Sequence, residues 1–113
     1  MADISSDGNG NPTLTGSGTE DSLHTAVTTA DVYQYMIDLS NMADGDVIEF
    51  KVDVKVRTGS TAATILKKTF ANAQDEPVWV TPPIPTLFSI QAFMTQEAGT
   101  GRAIEWTRVQ YAT

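Results

Sequence analysis

From residue 30 onward, apolar and polar residues alternate. The clearest run is 46–57, where Ile48, Phe50, Val52, Val54 and Val56 interleave with Glu49, Lys51, Asp53, Lys55 and Arg57. Successive strand side chains point to opposite faces, so this spacing predicts a long strand buried on one side and wet on the other. Residues 32–39 repeat the pattern, with Tyr33, Tyr35, Ile37 and Leu39 on one face. Further strands are predicted near 63–70, 78–81, 87–96 and 102–111, and a weak edge strand over 23–29. A short helical turn fits within 40–45. Pro82-Pro83-Ile84-Pro85 cannot occupy a sheet interior, because proline has no N–H to give to the ladder. Glu97-Ala98-Gly99-Thr100-Gly101 has the glycines of a hairpin loop and predicts that 87–96 pairs with 102–111. In that last strand Ile104 and Trp106 share one phase and Val109 and Tyr111 the other, which predicts a bulge at Thr107-Arg108.

Six to eight strands, no amphipathic helix and closely spaced turns predict an all-β fold: one antiparallel β-sandwich, jelly-roll-like, over residues 23–113. Residues 1–22 read differently. Asp7-Gly8-Asn9-Gly10-Asn11-Pro12 and the Gly, Ser and Thr that follow have almost nothing to bury, which predicts a flexible N-terminal arm, either disordered or laid along another surface.

Composition removes several kinds of chemistry. The 113 residues hold no cysteine and one histidine, His24. Disulfides, thiolate metal sites, cysteine nucleophiles and multi-histidine metal sites are therefore excluded. The formal charge of −7 argues against nucleic acid and anionic membranes, which are bound through cations. The charge is unevenly distributed: residues 1–50 hold nine acids and no Lys or Arg, whereas 51–113 hold five acids and seven bases. Pairing within one fold accounts for this more simply than pairing between subunits. Residues 1–7 have neither a basic nor an apolar region, so no secretion signal is predicted.

The candidate sites are each better read as structure. Asp7, Asn9 and Asn11 open like a calcium loop, but Pro12 and Gly18 stand where that loop needs Gly and Glu. Asp44-Gly45-Asp46 is a turn leading into a strand, and Gly99-Thr100-Gly101-Arg102 lacks the features of a phosphate loop. Glu49, Asp53 and Glu105 suit a salt-bridged face better than a two-carboxylate cleft. His24, beside Ser22 and Thr25, has no evident orienting partner and reads as a surface histidine. Neither a cofactor nor a metal is expected. Trp79 and Trp106, with Tyr33 and Tyr35, could form a sugar-stacking platform, although Trp106 keeps phase with core residues. Trp79 lies between Pro77 and the proline segment, a setting in which aromatics often meet a partner.

Several features occur in an order that resembles the capsid decoration, or cement, proteins of tailed bacteriophages. They are Asp38-Leu39-Ser40-Asn41-Met42 leading to Gly45-Asp46, the alternating strand 46–57, Pro82-Pro83-Ile84-Pro85, Gln96 through Arg102, and a strand containing Trp106. The resemblance spans about residues 31–111. It implies a non-enzymatic virion protein, made in the host cytoplasm, that binds the major capsid protein on the outer capsid surface and clamps capsomer junctions, often as a trimer. The contacts expected for that role are Ile4, Pro12 and Leu14 in the arm, and Trp79, Pro82, Pro83 and Ile84. A glycan-binding module or a fibre-type receptor-binding domain of a virion is the alternative.

Overall fold

The computed structural model describes residues 4–111. It contains nine strands: β1 (Ser5–Gly10), β2 (Glu20–Ser22), β3 (Asp31–Asp38), β4 (Val47–Lys55), β5 (Ala63–Ala71), β6 (Val78–Val80), β7 (Ile84–Thr86), β8 (Ser89–Ala98) and β9 (Glu105–Gln110). One sheet has the order β1-β9-β3-β6, with β7 also paired to β3, and the other has the order β2-β8-β4-β5. Every pairing is antiparallel. The two inner faces meet in a single core and form an all-β, two-sheet sandwich.

Strand alternation builds that core. Tyr33, Tyr35 and Ile37 of β3 and Trp106 of β9 face Ile48, Phe50, Val52 and Val54 of β4 and Ile90, Ala92 and Met94 of β8. Each Val, Ile, Phe or Met buried this way contributes about 1.5–3 kcal/mol. Aromatic edges interlock across the gap, with the Tyr35 and Phe50 rings T-shaped at 5.7 Å.

Several expectations are corrected. Residues 97–101 do not close a hairpin, because β8 and β9 lie in different sheets and the loop between them crosses the sandwich. Glycine suits such a crossing as well as it suits a hairpin. The phase of β9 does not slip. Arg108 continues the inward face of Ile104 and Trp106, and the irregularity lies across the ladder in β1, between Ser6 and Gly8. Residues 23–29 form no strand; their one ladder contact with β8 is the isolated bridge Val27 to Ile90, and Leu23 donates its N–H to the Ala92 carbonyl. Residues 40–45 are turns, not a helical turn.

The arm boundary at residue 22 also changes meaning. Residues 5–10 pair with β9, residues 20–22 pair with β8, and Leu14 lies in the core. Glycine makes the first pairing possible. A Cβ on Gly8 would stand 2.8 Å from Arg108 Nη2, and one on Gly10 would stand 2.9 Å from Trp106 Nε1. The inner face of β1 thus has no side chains of its own because its neighbours' side chains fill that space. Residues 1–3, part of the predicted arm, lie outside the described residues.

The proline segment behaves as expected of an edge. β6 and β7 together run along β3, with Val80 opposite Met36 and Ile84 opposite Tyr33. Pro82 and Pro83 fall in the break, where Thr81 Oγ1 accepts the Tyr35 N–H at 3.0 Å.

Candidate functional site

Two motifs weighed separately in the sequence form a single clamp. Asp46 is 1% exposed, and its carboxylate accepts from Arg102 Nε at 2.7 Å and from the Ala43 N–H at 2.9 Å. The Arg102 hydrogen bonds hold the Asp46 carboxyl below its usual range, against the opposing effect of burial. A Cβ on Gly99, whose φ is +90°, would stand 1.9 Å from Asp46 Oδ1. The arrangement ties the Asp44-Gly45-Asp46 turn to the inter-sheet loop and uses up the ligands that a cation or a phosphate would need. Among the described residues, no group of three or more His, Asp or Glu side chains gathers as a metal site.

The other carboxylates are dispersed. Asp7 binds Arg108, with Nε to Oδ2 at 2.8 Å and Nη2 to the Asp7 carbonyl at 2.9 Å. Glu49 and Asp53 belong to a lysine-laced outer face, where Lys51 lies 2.9 Å from Glu20 and 3.8 Å from Asp53, and Lys67 lies 3.9 Å from Glu49. Glu105 is in the opposite sheet.

His24 is not a surface histidine. Its Nδ1 lies 2.6 Å from the Thr25 carbonyl, a contact that requires a donor, so Nδ1 carries the proton. Nε2 is then the acceptor for the Ala92 N–H at 3.2 Å and the Tyr35 hydroxyl at 2.8 Å. The ring stacks on Tyr35 and tilts against Trp106. Burial lowers the His24 pKa and raises that of Tyr35, so both stay neutral. The ring pins residues 23–28 to β8 and β3.

The aromatic platform is absent as well. Tyr33 and Tyr35 are fully buried, and Trp106 lies in the core. Trp79 is half-buried, its ring T-shaped against Phe50 at 5.7 Å and against Phe70 at 5.4 Å. Of the expected contact residues, Leu14 and Ile84 are core residues and have no surface to offer. Leu14 fills the end of the sandwich, and Ile84 occupies an inward position of β7. Pro12 is half-buried, while Ile4, Pro82 and Pro83 are exposed.

Other apolar residues are exposed. Met36, Val78 and Val80 face outward on β3 and β6, and Val56, Ile65 and Leu87 stand clear of the body. The alternation that turns Tyr33, Tyr35 and Ile37 inward leaves Met36 on the outer face, whereas Val78 and Val80 flank Trp79 in a run of three apolar residues whose inward and outward positions look alike.

The surface is polarised along the strands. Loops 39–46, 72–77 and 98–104 meet at one pole through hydrogen bonds such as Gly45 N–H to Asn72 Oδ1 and Asn41 Nδ2 to the Ala103 carbonyl. Asp38, Asp44, Asp75, Glu76, Glu97 and Glu105 gather there, and none belongs to an ion pair among the described residues. At the other pole stand Ile4, Val56 and Leu87, with relative exposures of 65%, 78% and 68%, together with Lys55 and Arg57. No known protein-family model matches the chain, and no curated protein is significantly similar to it.

Proposed function

We propose that the chain is a non-enzymatic structural protein of a virion that binds the outer surface of a capsid and stabilises capsomer junctions. The polarity of the molecule carries this reading. A pole of exposed apolar side chains with two cations, opposite an acidic one, suits a protein that seats one end on a surface and turns the other to water. Ile4 and Leu87 are the seating residues, with Pro82 and Pro83 on the adjoining edge, and the major capsid protein is the partner. Binding to the assembled shell, and not to free subunits, would stabilise the shell by linkage. An oligomer, with a trimer as the expected form, would add avidity.

The strand order supports a finer reading of the fold. Sheets ordered β1-β9-β3-β6/β7 and β2-β8-β4-β5, with consecutive elements passing repeatedly from one to the other, fit the double Greek key of a jelly roll. Capsid and lectin domains both use that architecture. The lack of an exposed aromatic platform favours the capsid-associated role over the glycan-binding one.

The test is binding of the purified protein to purified shells that lack it. Saturation at a fixed copy number is expected, together with a higher shell disruption temperature. The double variant Ile4→Asp/Leu87→Asp should bind at least about tenfold more weakly while keeping its fold, since both side chains are exposed. No saturable binding to shells would overturn the proposal.

A further inference from the structure

The hairpin tip between β4 and β5 projects from the sandwich. Residues 55–65 are all exposed except Ser60, which closes the turn by accepting and donating at Arg57. This finger presents Lys55 and Arg57 beside Val56 and Ile65. Only Lys55, Arg57 and Lys68 among the described Lys and Arg residues have no ion-pair partner, and two of them are on the finger.

A surface of opposite character lies on the outer face of the other sheet. There a shallow groove of about 230 Å³ is lined by Met36, Asp38, Val78, Glu105 and Thr107, among others. Asp38 and Glu105 face each other directly across the β3–β9 ladder. Neither belongs to an ion pair among the described residues, and the Asp38 carboxylate, which accepts from the Ser40 hydroxyl and from the Ser40 N–H at 2.9 Å, is held in its charged form by those contacts. Val80, opposite Met36, extends the apolar floor.

We propose that the groove receives the finger of a second copy of this chain. Arg57 and Lys55 then neutralise Asp38 and Glu105, while Val56 and Ile65 cover Met36, Val78 and Val80. Pairing through sheet edges is the competing mode of self-association, and the edges oppose it. The β6–β7 edge carries prolines. β5 bulges at Ile65, which has no partner between Val52 and Asp53 of β4, and places Lys68 opposite inward-facing Phe50, two devices that discourage strand addition. β2 is three residues long, and β1 is bulged. Finger and groove lie on different sheets and at opposite poles, and unless a two-fold reciprocates the contact it is heterologous: each copy donates one surface and offers the other, which builds a ring or an open chain. The contact needs only this protein and goes beyond attachment to a shell.

The experiment exploits the absence of cysteine. Single variants Val56→Cys and Val78→Cys are mixed under mild oxidation, and the cross-linked dimer is compared with that from each variant alone. A heterologous contact gives abundant dimer only from the mixture. In parallel, sedimentation equilibrium follows Arg57→Glu and Glu105→Arg. Each should weaken self-association at least about tenfold, and mixing the two should restore it, because the reversed charges then complement one another. Raised salt should weaken the native association. A native protein that stays monomeric at millimolar concentration, equal cross-linking from either variant alone, or no recovery on mixing would each overturn the proposal. All four substitutions are at exposed positions, and circular dichroism confirms that the variants fold.

Discussion

His24 is a neutral ring held as an acceptor. Protonating Nε2 would turn the two groups that donate to it, the Ala92 N–H and the Tyr35 hydroxyl, from partners into conflicts. The charged and titratable groups that face it are Tyr35 on β3, Arg108 on β9 and Asp7 on β1. Burial depresses its pKa in the folded state below the unfolded value of 6.5, and the Arg108 charge adds to the effect. The unfolded chain therefore binds more protons in that window, and stability falls as pH falls. His24 contributes fully above about pH 6.5, and its contribution is lost progressively as pH drops toward the depressed value. Thermal melts of the native protein should show Tm declining between pH 7 and pH 5, and the decline should be shallower in His24→Gln. Parallel profiles for the two proteins would show that the ring is not the group responsible.

At the scale of elements, β1 is the strand whose basis is least visible in the sequence. Its inward positions are glycines, and its anchor is a charge. Asp7 offsets the guanidinium of Arg108, which is 6% exposed and has Nη1 buried with no partner among the described residues. Removing one member of such a pair strands the other. Asp7→Ala should therefore cost about 3 kcal/mol in denaturant unfolding, whereas Asp7→Ala/Arg108→Met should recover most of the loss. A double variant no more stable than the single one would mean that β1 depends on its backbone ladder and not on the pair. The long strands were legible because Ile48 to Val54 alternate against polar neighbours and Tyr33, Tyr35 and Ile37 recur at every second position. β1 was not, since the space over Gly8 and Gly10 is filled from β9, and neither was Arg108, since a cation in an inward register reads as a change of phase. The crossing of the β8–β9 loop was equally hidden: Gly99 and Gly101 report local backbone freedom and say nothing of which sheet the next strand joins.

For the molecule as a whole, the uneven charge along the chain is largely consumed inside the fold. Four of the five described ion pairs join an acid of residues 1–50 to a base of residues 51–113, which is the intramolecular solution expected from the sequence. What remains is chiefly an acidic pole and a basic finger, with Asp21, Asp31 and Lys68 outside both. The legible part of the candidate surface was Ile4 and the exposed prolines. The groove was not legible, because it is assembled from β3, β6 and β9, which are distant in sequence.

The pairing of Ser5 with Gln110 makes the described chain nearly cyclic. Its two ends are ladder neighbours, about 5 Å apart at the Cα atoms. A short linker from residue 111 to residue 4, with a new opening between Asp75 and Glu76 in an exposed loop, would produce a circular permutant in which β1 and β9 form an ordinary hairpin. That permutant should unfold within a few degrees of the parent in a thermal melt. A permutant that fails to fold would show that β1 must be free to add last. If it folds, the order of the strands along the chain is immaterial to the final sandwich.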